Sequence, residues 1–426
     1  MKILLKRGRV IDPASGKDGV TDILIEDGVI QKLRESVDAP AEVTRYDLKG
    51  KIVMPGFLDM HVHLREPGFE YKETIESGCR AAASGGFTAV ACMPNTQPAI
   101  DDASLVRSIQ EKARSVLNGI VDVYPVAAVT MGREGKVLSP MLELAEAGAV
   151  GFTDDGAPVM NAEVMRRALE YASMIGLPVI QHAEDLTMTK GGAMNEGFVA
   201  TALGMPGIPS VAEEIIVARD IHLLQFTHGS YHVAHISTAG SVGLVRQAKR
   251  TGAAVSCEVT PHHFSLTDEA VRSFDANTKM NPPLRGRDDV EAVKEGLRDG
   301  TIDVIATDHA PHSFDDKEVE FIAAPFGIVG LETAIGLSIS ELVETGILSL
   351  SQLVEKFSVN PRRILRLPAI TIAEGERANL TILDPAVEWK VDVRQFKSRA
   401  KNSPFNNRVL KGRAIGIINN GTALFT

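Results

Sequence analysis

No stretch of about 18 uncharged apolar residues occurs anywhere in the 426-residue chain, so none of it is expected to cross a bilayer. The opening Met1-Lys2-Ile3-Leu4-Leu5-Lys6-Arg7 holds too short an apolar run for a secretory leader and reads instead as a first strand. Cysteine is scarce. Cys79, Cys92 and Cys257 stand far apart with no CxxC spacing, which argues against a disulfide framework or a thiolate zinc site and suits a reducing cytoplasm. Basic clusters are missing too: the net charge is −10, and no Lys/Arg block is dense enough to track nucleic acid. An acidic substrate must then meet a strong local positive charge, and metal ions are one source of it. Apolar (44%) and charged (23%) contents are those of an ordinary globular protein, so disorder is not the default. The length suggests one large domain or two to three ordinary ones.

The first fifty or so residues read as short strands, Lys2–Leu5, Asp22–Glu26, Val29–Leu33 and Val43–Leu48. Turn-formers separate them at Asp12-Pro13, Ser15-Gly16 and Asp27-Gly28. The C-terminal sixty look alike, with Leu380–Leu383 before a turn at Asp384-Pro385 and Arg413–Ile418 before Asn419-Asn420-Gly421. Both ends are therefore expected in one small β-domain. Between them, short apolar runs alternate with helical segments such as Asp102–Leu117, Ala162–Met174, Val211–Leu223, Ala239–Lys249 and Val290–Asp299. The runs are Phe57–His63, Phe87–Met93, Val121–Val129, Ala149–Thr153, Pro178–His182, Tyr231–His235, Ala253–Val259 and Ile302–Thr307. Eight strand–helix units predict an α/β fold, a (β/α)8 TIM barrel over residues 55–365. Residues 1–54 and 366–426 would then form a β-sandwich. A doubly wound sheet would carry a glycine-rich phosphate turn after its first strand, and none is present.

The sharpest local signal is Asp59-Met60-His61-Val62-His63-Leu64-Arg65 at the end of the first barrel run. Strand side chains alternate, so His61, His63 and Arg65 share one side at the barrel mouth. Alone, such a pair reads equally well as two hydrogen-bonded histidines. Ligand-type residues at the ends of other runs change that. The fourth ends in Thr153-Asp154-Asp155-Gly156, the fifth in Gln181-His182-Ala183-Glu184-Asp185, the sixth in His235-Ile236-Ser237-Thr238 and the eighth in Thr307-Asp308-His309-Ala310-Pro311-His312. Nitrogen and oxygen ligands without thiolates fit zinc, with manganese or cobalt as substitutes. Four histidines and two aspartates exceed the three protein ligands of one catalytic zinc. They fit two ions, which at about 3.5–4 Å separation need a bridging anion.

These residues resemble the amidohydrolase superfamily. Finer motifs resemble its bacterial type I dihydroorotases: HVHLREPG at His61–Gly68, MPNT at Met93–Thr96, FTDDG at Phe152–Gly156 and MNPPLR at Met280–Arg285. ATDHAPH at Ala306–His312 and APFGIVG at Ala324–Gly330 complete a resemblance that covers nearly the whole chain. It implies that His61 and His63 bind one Zn2+, His182 and His235 a second, and Asp155 bridges. Asp308 would bind the first ion and act as base and acid. The sequence alone does not choose between Asp154 and Asp155, although aligning the motif favours Asp155. Related hydantoinases and allantoinases place a carboxylated lysine on the fourth strand, and Ala147–Gly156 contains no lysine.

The activity implied is the reversible cyclisation of N-carbamoyl-L-aspartate to L-dihydroorotate with loss of water, a step of de novo pyrimidine biosynthesis. In ring opening a bridging hydroxide attacks the ring carbonyl, and Asp308 carries its proton to the leaving nitrogen. Arg65 offers a planar fork for the free carboxylate, joined by Asn95 and His312. His63, Asn281 and the Phe326-Gly327 backbone would complete the substrate contacts. A cytoplasmic homo-oligomer is expected, with a possible complex with aspartate carbamoyltransferase and no nucleic-acid or membrane partner.

Other features carry less. Ser313–Ala324 reads as a solvated loop or as a lid over the metals. His222, His228 and His232 lie off the ligand positions, His262 and His263 have no assigned role, and Cys257 is expected in the core. A hydantoinase-like hydrolase is weighed down by Arg65 and the missing lysine. A silent assembly homologue should have lost ligands that this chain keeps.

Overall fold

The computed structural model describes residues 1–425. Parallel strands succeed one another around a barrel: Phe57–Val62, Phe87–Cys92, Asp122–Pro125, Val179–Gln181, Tyr231–Val233, Val255–Val259 and Val304–Ile305. The fourth run, Ala149–Thr153, does not form a strand of its own. Only Phe152 keeps ladder geometry, bridging Ala127 on one side and Val179 on the other. The chain turns at once into Asp154 and Asp155, so a single residue closes the wall there. On the far side, Val62 bridges His309 and completes the ring. Asp59 fastens the same seam, accepting from the backbone N–H of His61 (3.2 Å) and Thr307 (3.1 Å). Leu58, Met60, Ala89, Ala91, Val126, Ile180, Ala234, Val304 and Ala306 fill the interior, so the barrel is packed rather than hollow.

Local chemistry sets the outer helices. Thr74 and Ser77 form a capping box before helix Ile75–Gly85, which Gly86 ends in the left-handed conformation. Asp102, Asn161 and Thr238 cap Ala103–Ser115, Ala162–Ile175 and Ala239–Arg250 with their side chains. His228 is the left-handed C-cap of Val211–Thr227, which accounts for one unassigned histidine.

Both chain ends build a second unit. One sheet runs Thr422–Phe425, Val409–Asn419, Leu380–Lys390, Ile52–Pro55, Lys2–Asp12, Lys17–Glu26 and Val29–Arg34, with Thr44–Asp47 also paired to Lys2–Asp12. It folds on itself, so Tyr46 stacks on Phe425 with ring centroids 3.8 Å apart. Ile3, Leu5, Ile23, Ile25, Val53, Leu380, Ile382 and Ile418 lie buried between its layers. Two readings need correction. The first strand is not short but continues to Asp12, and Asp384-Pro385 is not a turn between strands. The strand runs on to Lys390 through a register shift between Asp384 and Glu388, a bulge that accommodates a proline with no N–H to donate.

Candidate metal centre

His61, His63, Asp155, His182, His235 and Asp308 come from five separate strand ends, and all six are buried at the barrel mouth. His61 Nε2 lies 3.4 Å from Asp155 Oδ1 and 3.5 Å from Asp308 Oδ1. His63 Nε2 lies 3.4 Å from Asp155 Oδ2 and 2.9 Å from Asp308 Oδ1. On the other flank, Asp155 Oδ1 is 3.9 Å from His182 Nδ1 and 3.7 Å from His235 Nε2. Asp155 thus stands among all four imidazoles. Asp154 does not: its carboxylate accepts from the Thr130 backbone N–H (3.0 Å) and hydroxyl (2.5 Å), away from the cluster.

The outer hydrogen bonds fix which nitrogen each ring presents. His61 Nδ1 is 2.5 Å from Glu258, His63 Nδ1 is 2.8 Å from the Asn95 carbonyl oxygen, and His182 Nε2 is 2.8 Å from Glu184. Each of these oxygens is an acceptor, so the facing ring nitrogen carries the proton. With those protons placed, the opposite nitrogens, His61 Nε2, His63 Nε2 and His182 Nδ1, face Asp155 and can offer lone pairs to a cation, His63 Nε2 meeting Asp308 Oδ1 at 2.9 Å where that cation would sit. This is the arrangement in which carboxylates and carbonyls orient histidine ligands.

Unpaired atoms test whether cations fit. His61 Nε2, Asp155 Oδ1 and His235 Nδ1 are buried without a hydrogen-bond partner among the described residues. Leaving such groups unsatisfied is costly, and a cation between them removes the cost for the two that face the cluster, His61 Nε2 and Asp155 Oδ1. His182 Nδ1 and His235 Nε2 also face each other at 2.9 Å, a separation at which two lone pairs need a proton or a metal between them. Two triads, His61–His63–Asp308 and His61–Asp155–His235, have all their ligand atoms within 4.8 Å of one another. Burial opposes the charge on Asp155, but His61, His235 and His63 hold its carboxyl well below the ordinary range.

Backbone strain marks the same place. Arg65 (φ 62°), His235 (φ 31°) and Asp308 (φ 47°) all adopt the left-handed region, rare for side chains of this size and found where a site imposes it.

A cavity of about 330 Å³ opens above the centre, lined among others by Arg65, Asn95, Asn281, His312, Phe326 and Gly327. Arg65 donates Nε–H to the Pro311 carbonyl at 3.1 Å, and neither end nitrogen is tied to protein among the described residues. Burial lowers its pKa to about 10, still charged at neutral pH. Asn95 spends its carbonyl oxygen on His63 and keeps its amide N–H groups. His312 is committed on both sides, with Nε2 to the Phe326 carbonyl (2.8 Å) and Nδ1 facing the Lys72 ammonium (3.2 Å). Burial, then Arg65, Lys317 and Lys72, depress its pKa to about 2, so it lines the cavity as a neutral ring. Asn281 donates to Glu184 at 2.8 Å. Gly327 (φ 127°) passes so close to Ala310 that a Cβ there would sit 2.7 Å from the alanine methyl.

Sequence reasoning missed Glu258 and Arg133 and gave Glu184 no role of its own. Glu258 is fully buried on the seventh strand; burial would raise its pKa, but His61 and His232 hold it at about 2. A charged residue inside the apolar run Val255–Val259 was the available signal. Arg133 donates Nη2–H to the Asp155 carbonyl at 2.6 Å and pins that turn. His232 sits buried behind Glu258 on Ser256, and His263 donates to the Pro282 carbonyl, so both serve structure.

Barrel, β-unit and mouth-borne histidine–aspartate cluster together define a metal-dependent cyclic amidohydrolase. Among solved structures, an L-hydantoinase (dihydropyrimidinase) from Arthrobacter aurescens superposes with TM-score 0.88 at 26% identity, over 99% of this chain and 96% of that one. A D-hydantoinase from a Bacillus sp. AR9 (TM-score 0.85, 24% identity, 99% and 95% covered) shares the fold. A family model described as dihydro-orotase-like matches residues 50–241. The dihydroorotase of Syntrophus aciditrophicus is 53% identical over 426 residues, covering 100% of this chain and 99% of the relative. That of Pelobacter propionicus is 51% identical with both chains fully covered. The chain belongs to the dihydroorotase family. Among the described residues no helix is long and apolar enough to cross a membrane.

Proposed function

We propose that this chain interconverts N-carbamoyl-L-aspartate and L-dihydroorotate, with Zn2+ as the metal and two ions per subunit. The observation that carries the reading is the pairing, in one cavity, of an aspartate-centred histidine cluster with the untied fork of Arg65. A neutral cyclic amide needs no such cation, whereas the ring carboxylate of dihydroorotate does. Ligands limited to nitrogen and oxygen support zinc. Six ligand residues, two more than one closed tetrahedral site takes, support two ions.

Each residue has a place in this chemistry. When bound, the cations supply Lewis acidity and make water a nucleophile near neutral pH. His61, His63 and His182, their rings oriented by Glu258, Asn95 and Glu184, would hold them together with His235. Asp155 neutralises part of their charge from the middle of the cluster. Asp308, 2.9 Å from His63 Nε2, takes the proton released in ring opening at its carboxylate and returns it to the ring nitrogen. In ring closure the same carboxylate takes the proton from the carbamoyl nitrogen as that nitrogen bonds the carboxyl carbon, and passes it to the carboxyl oxygen that departs as water. Arg65 fixes the substrate carboxylate, Asn95 adds its amide donors, and the Phe326-Gly327 backbone borders the ring.

The test is turnover of L-dihydroorotate against hydantoin and dihydrouracil by the purified protein, before and after chelation, with metals counted by elemental analysis. Dihydroorotate should be strongly preferred and chelation should abolish its turnover. Faster turnover of the neutral rings would assign the site to a hydantoinase-type reaction.

A further inference from the structure

The segment from His312 to Phe326 is a strap that separates two cavities. Its inner side, with His312, Pro325, Phe326 and Gly327, lines the 330 Å³ cavity above the histidine cluster. Its outer side, with His312, Ser313, Phe314 and Lys317, lines a larger cavity of about 760 Å³. No strand pairing runs along it, and its one helix, Phe314–Lys317, is a single turn. Open space on the outside leaves the strap little apolar packing around its helical turn. Phe314 and Ile322 stay 76% and 52% exposed, and of the strap's large apolar side chains Phe321 is the one buried, in a small cluster with Met194, Val199 and Val271.

A lysine anchors the helical turn. Lys317 turns inward, is only 8% exposed, and donates from Nζ to three carbonyls: Pro325 (2.7 Å), Ala276 (3.0 Å) and Lys279 (3.4 Å). The first belongs to the strap, next to Phe326. The other two belong to the turn that leads to Asn281. One ammonium therefore ties together two loops that form opposite parts of the substrate wall. Lys279 repeats the tie in reverse, donating to the Ile322 carbonyl at 2.9 Å with its ammonium 4.7 Å from the Phe326 ring centre. Gly327 N–H closes the same seam on the Lys279 carbonyl at 2.9 Å. No carboxylate oxygen lies within 4 Å of the Lys317 ammonium among the described residues, so its hydrogen bonds go to carbonyl oxygens, with Asp275 and Asp316 attracting it from farther off. Burying a lysine that way is costly unless its hydrogen bonds are met.

We propose that Lys317 is a positioning residue for substrate recognition, an ammonium latch that holds the strap and the Ala276–Asn281 turn together as the wall of the site. It touches no substrate atom and acts through Pro325–Gly327 and Asn281. The proposal rests on the site assigned above but is tested partly without turnover.

The experiment compares wild type, Lys317→Met and Lys317→Gln as full-length, metal-loaded protein. Loss of hydrogen bonds to a charged group corresponds to about 10- to 100-fold in binding. KM for dihydroorotate should therefore rise about tenfold or more in Lys317→Met while kcat and metal content stay near wild type. Lys317→Gln keeps one amide donor for Pro325 and should fall between. Limited proteolysis should cut Lys317→Met within residues 313–326 faster than wild type, a readout independent of the substrate. If wild type fails to turn over dihydroorotate, the functional assignment fails, while the proteolysis arm still judges the latch. Unchanged KM with an unchanged cleavage rate overturns the latch. Equal losses of kcat, metal and melting temperature would show a general folding role and overturn it too.

Discussion

Thr130 holds Asp154 from two directions, through its backbone N–H at 3.0 Å and its hydroxyl at 2.5 Å, and so keeps that carboxylate out of the histidine–aspartate cluster. The neighbour, Asp155, is left facing four histidines. The pair offers a direct test. Asp155→Asn should lower metal affinity by more than the roughly 10–100-fold of an outer-shell change, with activity lost in step. Asp154→Asn should keep its metal and cost about 1–3 kcal/mol of stability through the weakened anchor. Elemental analysis and thermal melts of both variants check this. Metal loss confined to Asp154→Asn would reverse the assignment.

Glu258 is the second test. It accepts from His61 Nδ1 at 2.5 Å and lies 3.3 Å from His232 Nε2 in a fully buried position. Glu258→Gln preserves the shape, but its amide presents one donor and a weaker acceptor, so the His61 ring can turn or change tautomer. Metal affinity measured by competition with a chelator should drop about 10–100-fold. An affinity within twofold of wild type would mean that packing alone orients His61.

Much of this was legible in the chain, for identifiable reasons. Alternation at Asp59–Arg65 was enough to group His61 with His63, whereas Arg65 lies past the strand end at Val62 and reaches the same cavity through a left-handed residue rather than through strand alternation. Ligand-type residues recurring at run ends located the mouth before any contact was known. What stayed hidden depends on partners distant in sequence. Nothing near Asp154 says that Thr130, 24 residues earlier, will bind it. Glu258 reads as an anomaly in an apolar run until His61 is seen against it, 197 positions away. Ala149–Thr153 has a strand's composition, yet the turn at Asp154 leaves only Phe152 in the ladder.

The three cysteines lend themselves to a plain chemical check. Cys79, Cys92 and Cys257 are all buried, and burial pushes each thiol up to about 12. The thiolate is the reactive form, so at pH 8 the native protein should react with a thiol reagent at none of them and release all three only in denaturant. Rapid modification of one thiol in the folded enzyme would place it outside the core.

Arg65→Lys tests how the substrate is recognised. Arg65 is braced by its Nε–H on the Pro311 carbonyl, which leaves the two end nitrogens as a fork facing the cavity. Lysine keeps the charge and loses both the brace and the paired donors, so it is not a conservative change here. A hydrogen bond to a charged group contributes about 1.5–3 kcal/mol. KM for dihydroorotate should therefore rise by one to two orders of magnitude at unchanged metal content. The control is dihydrouracil, which shares the ring and lacks the carboxylate. Because the fork has nothing to grip on that ring, its slow turnover should hardly respond to the substitution. If both substrates suffered equally, Arg65 would be shaping the cavity rather than reading the carboxylate, and selectivity for an anionic ring would have to reside in the cations themselves.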